Sequence, residues 1–442
     1  MSLLLVTIIS FIGLILGKLI FKKWINHLTI YCIIWGGLIF LYELRLLPYV
    51  DLIPLAWFYI ISAFLSFLCG ILTIISARNI FNKDKIVSKK TNISLAIFAD
   101  NGKAIKYSII FFSVVCFFAA IQSWMVLIKA FGSIPAVFIR ATTIYQLKNQ
   151  GEIKGIIPFI SYSGFVAVFF SGIYTAYKRK VSFLIFLPLI GIIIKQLSEV
   201  GRVGMLFALM EFIFTFFLFR YLLKNDHAEE FKFSKINAIV SFTILITLFI
   251  VSASLVRLAR SSFENYVGAS GELRQLKGNM IITPSVYLYL SSDVGVLSQY
   301  LLSNGENADF GQNTFLPVYD LLAKFDFVKR PNDYQKGYFI PMWTNTGTYI
   351  RELHADFGVG GVFIVPYLLG LLITWLWFKF YESKNLIVFA FLVFLNIIIG
   401  FSFLVMITRL LYWSISLFMI IILIPILERI ALSKRSSLVS IT

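Results

Sequence analysis

Long apolar runs alternate with short polar segments along the whole chain. A run of about 18–22 apolar residues is long enough for a helix to cross the hydrocarbon core of a bilayer. We predict eleven such spans, at residues 3–20, 29–46, 52–75, 107–127, 156–177, 181–195, 203–222, 236–256, 359–377, 386–406 and 410–427. The run at 181–195 is short and contains Pro188. A kinked helix or a re-entrant pair with the next segment is therefore an alternative there.

This pattern predicts an all-α polytopic integral membrane protein of about eleven transmembrane helices with one large external loop. The runs are solidly apolar, which excludes an outer-membrane barrel, because barrel strands alternate polar with apolar residues. Composition agrees, since 59% of the 442 residues are hydrophobic and 14% are charged, against about a quarter charged in soluble domains. The three cysteines are isolated in apolar runs and the three histidines are far apart. We therefore expect no disulfide framework, no metal and no cofactor.

Lysine and arginine gather in the loops that follow odd-numbered spans. These clusters lie at residues 22–23, 78–90, 178–180, 224–235, 379–384 and 429–435. Under the positive-inside rule these loops are cytoplasmic, so the N-terminus is predicted outside and the C-terminus inside. The net charge of +17 is then mainly a topology signal, and no nucleic-acid partner is expected, since nucleic-acid binding needs the charge on one soluble surface.

The same topology divides the chain into three parts. Residues 1–256 are predicted to form a transmembrane bundle of about eight spans, with a basic cytoplasmic loop at 77–106 that contacts lipid or is a solvated linker. Residues 257–358 form a large extracytoplasmic loop, and residues 359–442 form three C-terminal spans and a cytoplasmic tail. Long loops of membrane proteins commonly carry their chemistry. Tyr338, Phe339 and Trp343 in this loop suit stacking on sugar rings, although an interfacial aromatic belt explains Trp343 equally well.

Several arginines lie at predicted outer ends of spans, where the positive-inside rule disfavours them. Arg202 opens the seventh span, Arg257 and Arg260 close the eighth on one helix face, and Arg351 precedes the ninth. Guanidinium groups bind phosphate through several planar donors, so we predict that these four share one anion site. Three more arginines are external by the same topology: Arg140, Arg274 and Arg409. The alternative for each is that the side chain simply reaches for lipid headgroups.

His354 is the only histidine on the predicted outer side, within the segment 348–361. Histidine titrates near neutral pH, so His354 is our candidate general base, with Asp356 or Glu264 in reserve. A purely structural histidine is the alternative. If the segment is helical, Arg351, His354 and Gly358 share a face; otherwise Asp356 caps a helix that begins there.

The blocks Phe310-Gly311-Gln312-Asn313-Thr314-Phe315-Leu316-Pro317, Asn345-Thr346-Gly347-Thr348-Tyr349-Ile350-Arg351, Asp356-Phe357-Gly358-Val359-Gly360-Gly361 and Leu368-Leu369-Gly370 resemble the Wzy-type oligosaccharide repeat-unit polymerases. The likeness is best between residues 257 and 370. It implies a GT-C-like fold in the bacterial cytoplasmic membrane with an outward-facing active site. The implied reaction transfers a growing glycan from undecaprenyl pyrophosphate onto a lipid-linked repeat unit, without metal.

The resemblance also implies partners and roles. The partners would be undecaprenyl-pyrophosphate-linked oligosaccharides, membrane lipids, and flippase and chain-length regulator proteins. His354 would act as the base, and Arg202, Arg257, Arg260 and Arg351 would hold the pyrophosphate. The predicted substrate-binding residues are Arg140, Arg274, Tyr349, Asp356 and Trp343. An O-antigen ligase or a lipid-linked oligosaccharide flippase is the alternative, although a flippase would be expected to show internal symmetry and short loops.

Overall fold

A computed structural model describes residues 2–81, 96–140, 143–144, 147, 158–179, 183–199, 201–226, 243, 247, 250, 284–306, 308–331, 335–340 and 343–439. Most of these residues are helical. The helices are α1 (Ser2–Phe21), α2 (His27–Glu43), α3 (Pro54–Phe81), α4 (Lys103–Phe131), α5 (Ile134–Ile139), α6 (Pro158–Ser161), α7 (Ser163–Lys178), α8 (Phe186–Glu199), α9 (Val203–Asp226), α10 (Pro284–Ser291), α11 (Asp293–Leu302), α12 (Leu316–Ala323), α13 (Tyr349–Ser383), α14 (Leu386–Phe401) and α15 (Leu411–Val439). Short 3-10 turns occur at Ala96–Phe98, Phe183–Ile185 and Ile407–Arg409.

The described residues include one short β ladder, which the sequence pattern did not predict. Strand β1 (Tyr338–Phe339) pairs antiparallel with β2 (Trp343–Thr344). It lies inside the predicted external loop. The described residues are thus all-α apart from this two-stranded ladder.

Five described helices, α3, α4, α9, α13 and α15, are long and apolar enough to cross a membrane, and α1, α2 and α14 are shorter apolar helices. The chain is therefore a membrane-embedded helical protein. Each predicted span except 236–256 overlaps one of the helices. Of residues 236–256 only 243, 247 and 250 are described, so the predicted total of eleven spans stays a prediction, as does the GT-C-like fold.

The chain forms two compact units, each assembled from separated stretches. The first comprises residues 1–89, 264–379 and 395–413, and the second comprises 90–263, 380–394 and 414–442. The predicted division at residues 256 and 358 follows chain order instead. The second unit contains α4, α7, α8 and α9, and glycines let these helices approach closely: a methyl group on Gly172 would meet Thr215, and one on Gly164 would meet Cys116 and Ile192.

Helices α3 and α13 of the first unit meet backbone to backbone. A Cβ on Gly70 would overlap the carbonyl of Tyr367, and one on Gly370 would overlap the carbonyl of Phe67. Small residues allow this kind of close crossing between membrane helices. The neighbouring α2 joins the same packing through His27, whose ring nitrogen Nε2 lies 2.9 Å from Oγ1 of Thr374 on α13.

Helix α13 begins at Tyr349, ten residues before the predicted span, and bends at Gly358 (φ 62°, ψ −154°). Only glycine adopts this backbone region readily. Of the two arrangements predicted for this segment, the chain adopts the helical one, and Asp356 lies within the helix rather than at its cap. Beyond the bend, one face of α13 carries exposed apolar side chains at Ile364, Leu368, Leu372 and Trp375.

Candidate functional site

His354 lies on α13, one turn before the bend at Gly358, and is half buried between two tyrosines. Its Nδ1 is 2.8 Å from the hydroxyl of Tyr300 on α11. Its Nε2 is 3.5 Å from the hydroxyl of Tyr59 on α3. The Tyr300 ring meets the imidazole edge-on, with 5.6 Å between ring centroids. Three helices therefore fix the position of one imidazole.

Tyr300 can orient His354 without ionising. Burial raises the pKa of Tyr300 to about 12, and a hydrogen bond from the backbone of Glu306 and the charge of Arg351 oppose that rise. The phenol therefore keeps its proton at neutral pH. A neutral phenol can accept a bond from Nδ1–H or donate one to an unprotonated Nδ1. The direction of this bond decides whether Nε2 of the neutral ring is an acceptor or a donor.

Arg351 is 1% exposed, and its guanidinium is already bound. Nη2 lies 2.6 Å from Oε1 of Glu306 and donates to the carbonyl of Lys336 at 2.6 Å. The rings of Tyr300 and Tyr338 lie 5.6 and 5.2 Å from its central carbon. Tyr338 also donates to Oε1 of Glu306, at 3.1 Å. Nη2 of this guanidinium is thus occupied by Glu306 and by the carbonyl of Lys336.

Glu352, next to Arg351, is completely buried and faces another part of the chain. Its Oε1 accepts hydrogen bonds from Arg409 Nη1 and from Gln335 Nε2, each at 2.6 Å. Its Oε2 accepts from the backbone N–H of Met406. A buried carboxylate is tolerated only when it is paired in this way. Glu352 therefore binds the turn that contains Arg409 to the start of α13.

Asp356, one turn further along α13, binds a third part of the chain. One carboxylate oxygen accepts from the backbone and side-chain N–H groups of Asn313, at 2.8 and 2.9 Å. The other accepts from the backbone N–H and the hydroxyl of Thr314, both at 2.7 Å. We call residues 351–356 the anchoring segment, since three of its charged side chains hold three separate stretches of chain on one helix.

The remaining predicted residues occupy varied places. Tyr349 is buried and bonds to the hydroxyl of Tyr31 at 3.0 Å, whereas Trp343 on β2 is 71% exposed. Arg140 is exposed at the end of α5, and Arg202 is partly exposed before α9; both belong to the second unit. Arg257, Arg260, Arg274 and the reserve base Glu264 lie outside the described residues. The meeting of four arginines around one anion thus stays a prediction.

Sequence reasoning missed the partners of the candidate residues. Tyr59, Tyr300 and Glu352 carry the contacts that position His354 and the start of α13, yet none was singled out. The tyrosines lie in apolar helices, where such residues are common, and no spacing marks them. Glu352 follows Arg351 directly, and an acidic residue beside an arginine just before a long apolar run is a signal of charge pairing that the sequence carries.

Among the described residues, no three His, Cys, Asp or Glu side chains are grouped so that they could hold a metal ion. The chemistry offered by the described part of the site is that of an imidazole with phenol partners, next to a set of internally paired charges. Comparisons with protein-family models, curated proteins and solved structures found no match. The resemblance to Wzy-type polymerases therefore rests on the motifs between residues 310 and 370 alone.

Proposed function

We propose that this protein is a membrane-embedded glycosyltransferase that polymerises lipid-linked oligosaccharide repeat units at the outer face of a bacterial cytoplasmic membrane. The observation that carries the proposal is the position of His354. A half-buried imidazole, held by Tyr300 on one nitrogen, lies within one turn of the bend where an apolar helix starts. This is a suitable place for a base that acts on a substrate whose lipid remains in the bilayer.

In the proposed reaction, a sugar hydroxyl of the acceptor unit attacks the anomeric carbon of the donor glycan. The new C–O bond forms as the bond from that carbon to the pyrophosphate breaks, and undecaprenyl pyrophosphate leaves with the bonding electrons. The hydroxyl proton passes to Nε2 of His354. This requires the tautomer in which Nδ1–H donates to Tyr300, so that the lone pair of Nε2 is free. The bond between Nε2 and the hydroxyl of Tyr59 is long, at 3.5 Å, so in the proposed reaction a sugar hydroxyl replaces only a weak partner of Nε2.

The substrate brings the energy for this reaction in its glycosyl–pyrophosphate bond, so no nucleotide sugar is needed. Cationic groups fixed near the pyrophosphate would stabilise the charge that develops as it leaves. Arg202, Arg257 and Arg260 keep this predicted role. For Arg351 we propose an indirect role, because Glu306 already occupies its guanidinium, and the ion pair holds the loop that follows α11 close to His354.

The test uses the purified full-length protein in nanodiscs, with lipid-linked repeat units extracted from the source cells as the only substrate. Wild-type protein should produce a ladder of longer glycans and release undecaprenyl pyrophosphate. His354→Gln should lower the rate about 10²- to 10⁴-fold, the usual contribution of a general base, with unchanged thermal unfolding. Lys329→Ala, at an exposed loop position, is the matched control and should keep full activity.

Three results would contradict the proposal. Full activity of His354→Gln would remove this residue as the base. Movement of the lipid-linked units across a vesicle membrane without extension would identify a flippase. Transfer of glycan only to an acceptor that is not a lipid-linked repeat unit would identify a ligase.

A further inference from the structure

The loop between α11 and β1 exposes a set of large apolar side chains. Phe310 is 78% and Phe327 is 74% exposed. Further members, all at least half exposed, are Phe315, Val318, Leu321 and Phe325. Val318 and Leu321 lie three residues apart on α12, and therefore on one helix face. A helix of a soluble protein usually packs such an apolar face against the protein core. We call the whole set of six exposed apolar side chains the phenylalanine face, and its exposure to solvent is unfavourable unless a partner covers it.

The phenylalanine face reaches α13 through Phe310. The ring of Phe310 packs edge-on against Phe357, with 4.8 Å between ring centroids. Phe357 immediately precedes Gly358, and the exposed apolar side chains of α13 begin at Val359. Since α13 is a candidate membrane span, the two apolar surfaces meet at the end of that span.

The position of the face relative to α13 is held by hydrogen bonds. Asp356 binds Asn313 and Thr314 just before α12, and the hydroxyl of Thr408 donates to the carbonyl of Thr314 at 2.7 Å. These bonds hold the residues just before α12, next to Phe315, beside the anchoring segment.

Several polar groups of this loop are hydrogen-bonded within the loop itself. The N–H of Phe315 bonds to the carbonyl of Gly311 at 2.8 Å, and the N–H groups of Phe325 and Phe327 bond to the carbonyl of Leu322 at 3.1 Å. The hydroxyl of Tyr319 donates to the carbonyl of Phe310 at 2.6 Å. Backbone groups that enter an apolar medium need such partners.

From these observations we propose that the phenylalanine face inserts into the interfacial layer of the bilayer, beside the bend of α13 at Gly358. The occupant is lipid: the apolar side chains lie among the upper acyl chains, and the charged residues around them, Lys324, Asp326, Lys329 and Arg330, face water and headgroups. Amphipathic helices bind bilayer surfaces in this way, with the apolar side only shallowly buried. The proposal does not depend on the proposed enzymatic activity.

Site-directed spin labelling of the full-length protein in liposomes tests this proposal. Single cysteines replace Val318 or Phe325 of the phenylalanine face, and the exposed charged residues Asp326 or Lys329 as matched controls. The background carries Cys69→Ala, because Cys69 is exposed, whereas Cys32 and Cys116 are buried; the unsubstituted background must take up no label. Accessibility is measured to oxygen, which concentrates in lipid, and to a water-soluble nickel chelate.

The proposal expects labels at 318 and 325 to collide often with oxygen and rarely with the nickel chelate, and labels at 326 and 329 to show the reverse. Equal, water-like accessibility to nickel at all four positions would overturn the proposal. Low accessibility to both reagents at 318 and 325 would also overturn it, because the face would then be covered by protein rather than lipid. Each labelled variant should keep the thermal unfolding midpoint of the background.

Discussion

At the scale of single residues, the first turns of α13 show how charged side chains are buried at the start of a candidate membrane helix. Arg351, Glu352 and Asp356 are all nearly or completely buried, and each is paired with partners from another stretch of chain. A buried charge costs several kcal/mol unless it is paired and hydrogen-bonded. These side chains therefore fix the stretches of chain around them. His354, in the same segment, differs from them because its hydrogen-bond partners are phenols.

The ion pair between Arg351 and Glu306 can be tested by a double-mutant cycle. Glu306→Gln leaves the buried guanidinium without its anion and should lower the free energy of unfolding by about 2–3 kcal/mol, below the full cost of a buried pair because Glu306 is partly exposed. Arg351→Met with Glu306→Gln should cost less than the sum of the two single changes. Unfolding in detergent is followed by intrinsic tryptophan fluorescence. Additive losses would mean that the two side chains do not interact.

The sequence singles out Arg351 and His354 but not their contacts. Their spacing places them on one face only if the segment is helical, which the structure shows, and His354 stands out because the chain has three histidines. Which groups they touch depends on Tyr59, nearly 300 positions away, and on Glu306, 45 positions away. Such pairs depend on the tertiary arrangement and leave no periodic signal in one sequence.

At the scale of elements, α13 consists of two parts that differ in composition. Its first nine residues are rich in charged and polar side chains and bind loops, whereas the residues after Gly358 are apolar. Hydropathy marks only the second part, so the predicted span began at residue 359 and missed the start at Tyr349. The two-residue strands β1 and β2 are too short to show alternation. The predicted spans other than 236–256 each overlap a described helix, because a long apolar run has few other stable states.

Gly358 sets the angle between the two parts of α13, and its replacement should show this. A Cβ there would meet no atom within 4 Å, so Gly358→Ala tests backbone strain alone and should cost about 1–3 kcal/mol. Gly360→Ala is the matched control: its Cβ would have only an ordinary contact with Ile364, and alanine favours a helix over glycine by about 1 kcal/mol.

Thermal unfolding midpoints of the two variants, measured side by side in detergent, show whether the backbone at residue 358 requires glycine. Gly358→Ala should unfold at a lower temperature than wild type, and Gly360→Ala at the same or a higher temperature. Equal midpoints for both variants would mean that the backbone at residue 358 can adopt an ordinary helical conformation at no cost.

At the scale of the whole molecule, chain order and spatial order differ. Each compact unit takes residues from the N-terminal half and from the last 70 residues. Helix α14 supplies residues to both units, since the boundary falls at 394/395. A linear reading of hydropathy locates spans but carries no information on which spans become neighbours. The predicted division into bundle, loop and C-terminal spans therefore describes topology along the chain and not compactness in space.

The orientation predicted from lysine and arginine can be checked across α13. Lys329 precedes α13 in the chain and Lys384 follows it. Single cysteines replace these two residues in the Cys69→Ala background. In intact spheroplasts a membrane-impermeant maleimide should label position 329 and should reach position 384 only after permeabilisation. The opposite pattern would place the C-terminus outside and would remove the basis for an outward-facing site.

The three stretches of chain bound to the anchoring segment are all held by the start of α13, a helix that continues into the bilayer. When the apolar length of a membrane helix exceeds the hydrocarbon thickness, the helix can accommodate the mismatch by tilting. If α13 tilts, the residues bound to Arg351, Glu352 and Asp356 travel with it as a single body, and their height above the lipid changes together. A change in hydrocarbon thickness would thus reach these stretches through the bend at Gly358 and the contacts of Arg351, Glu352 and Asp356.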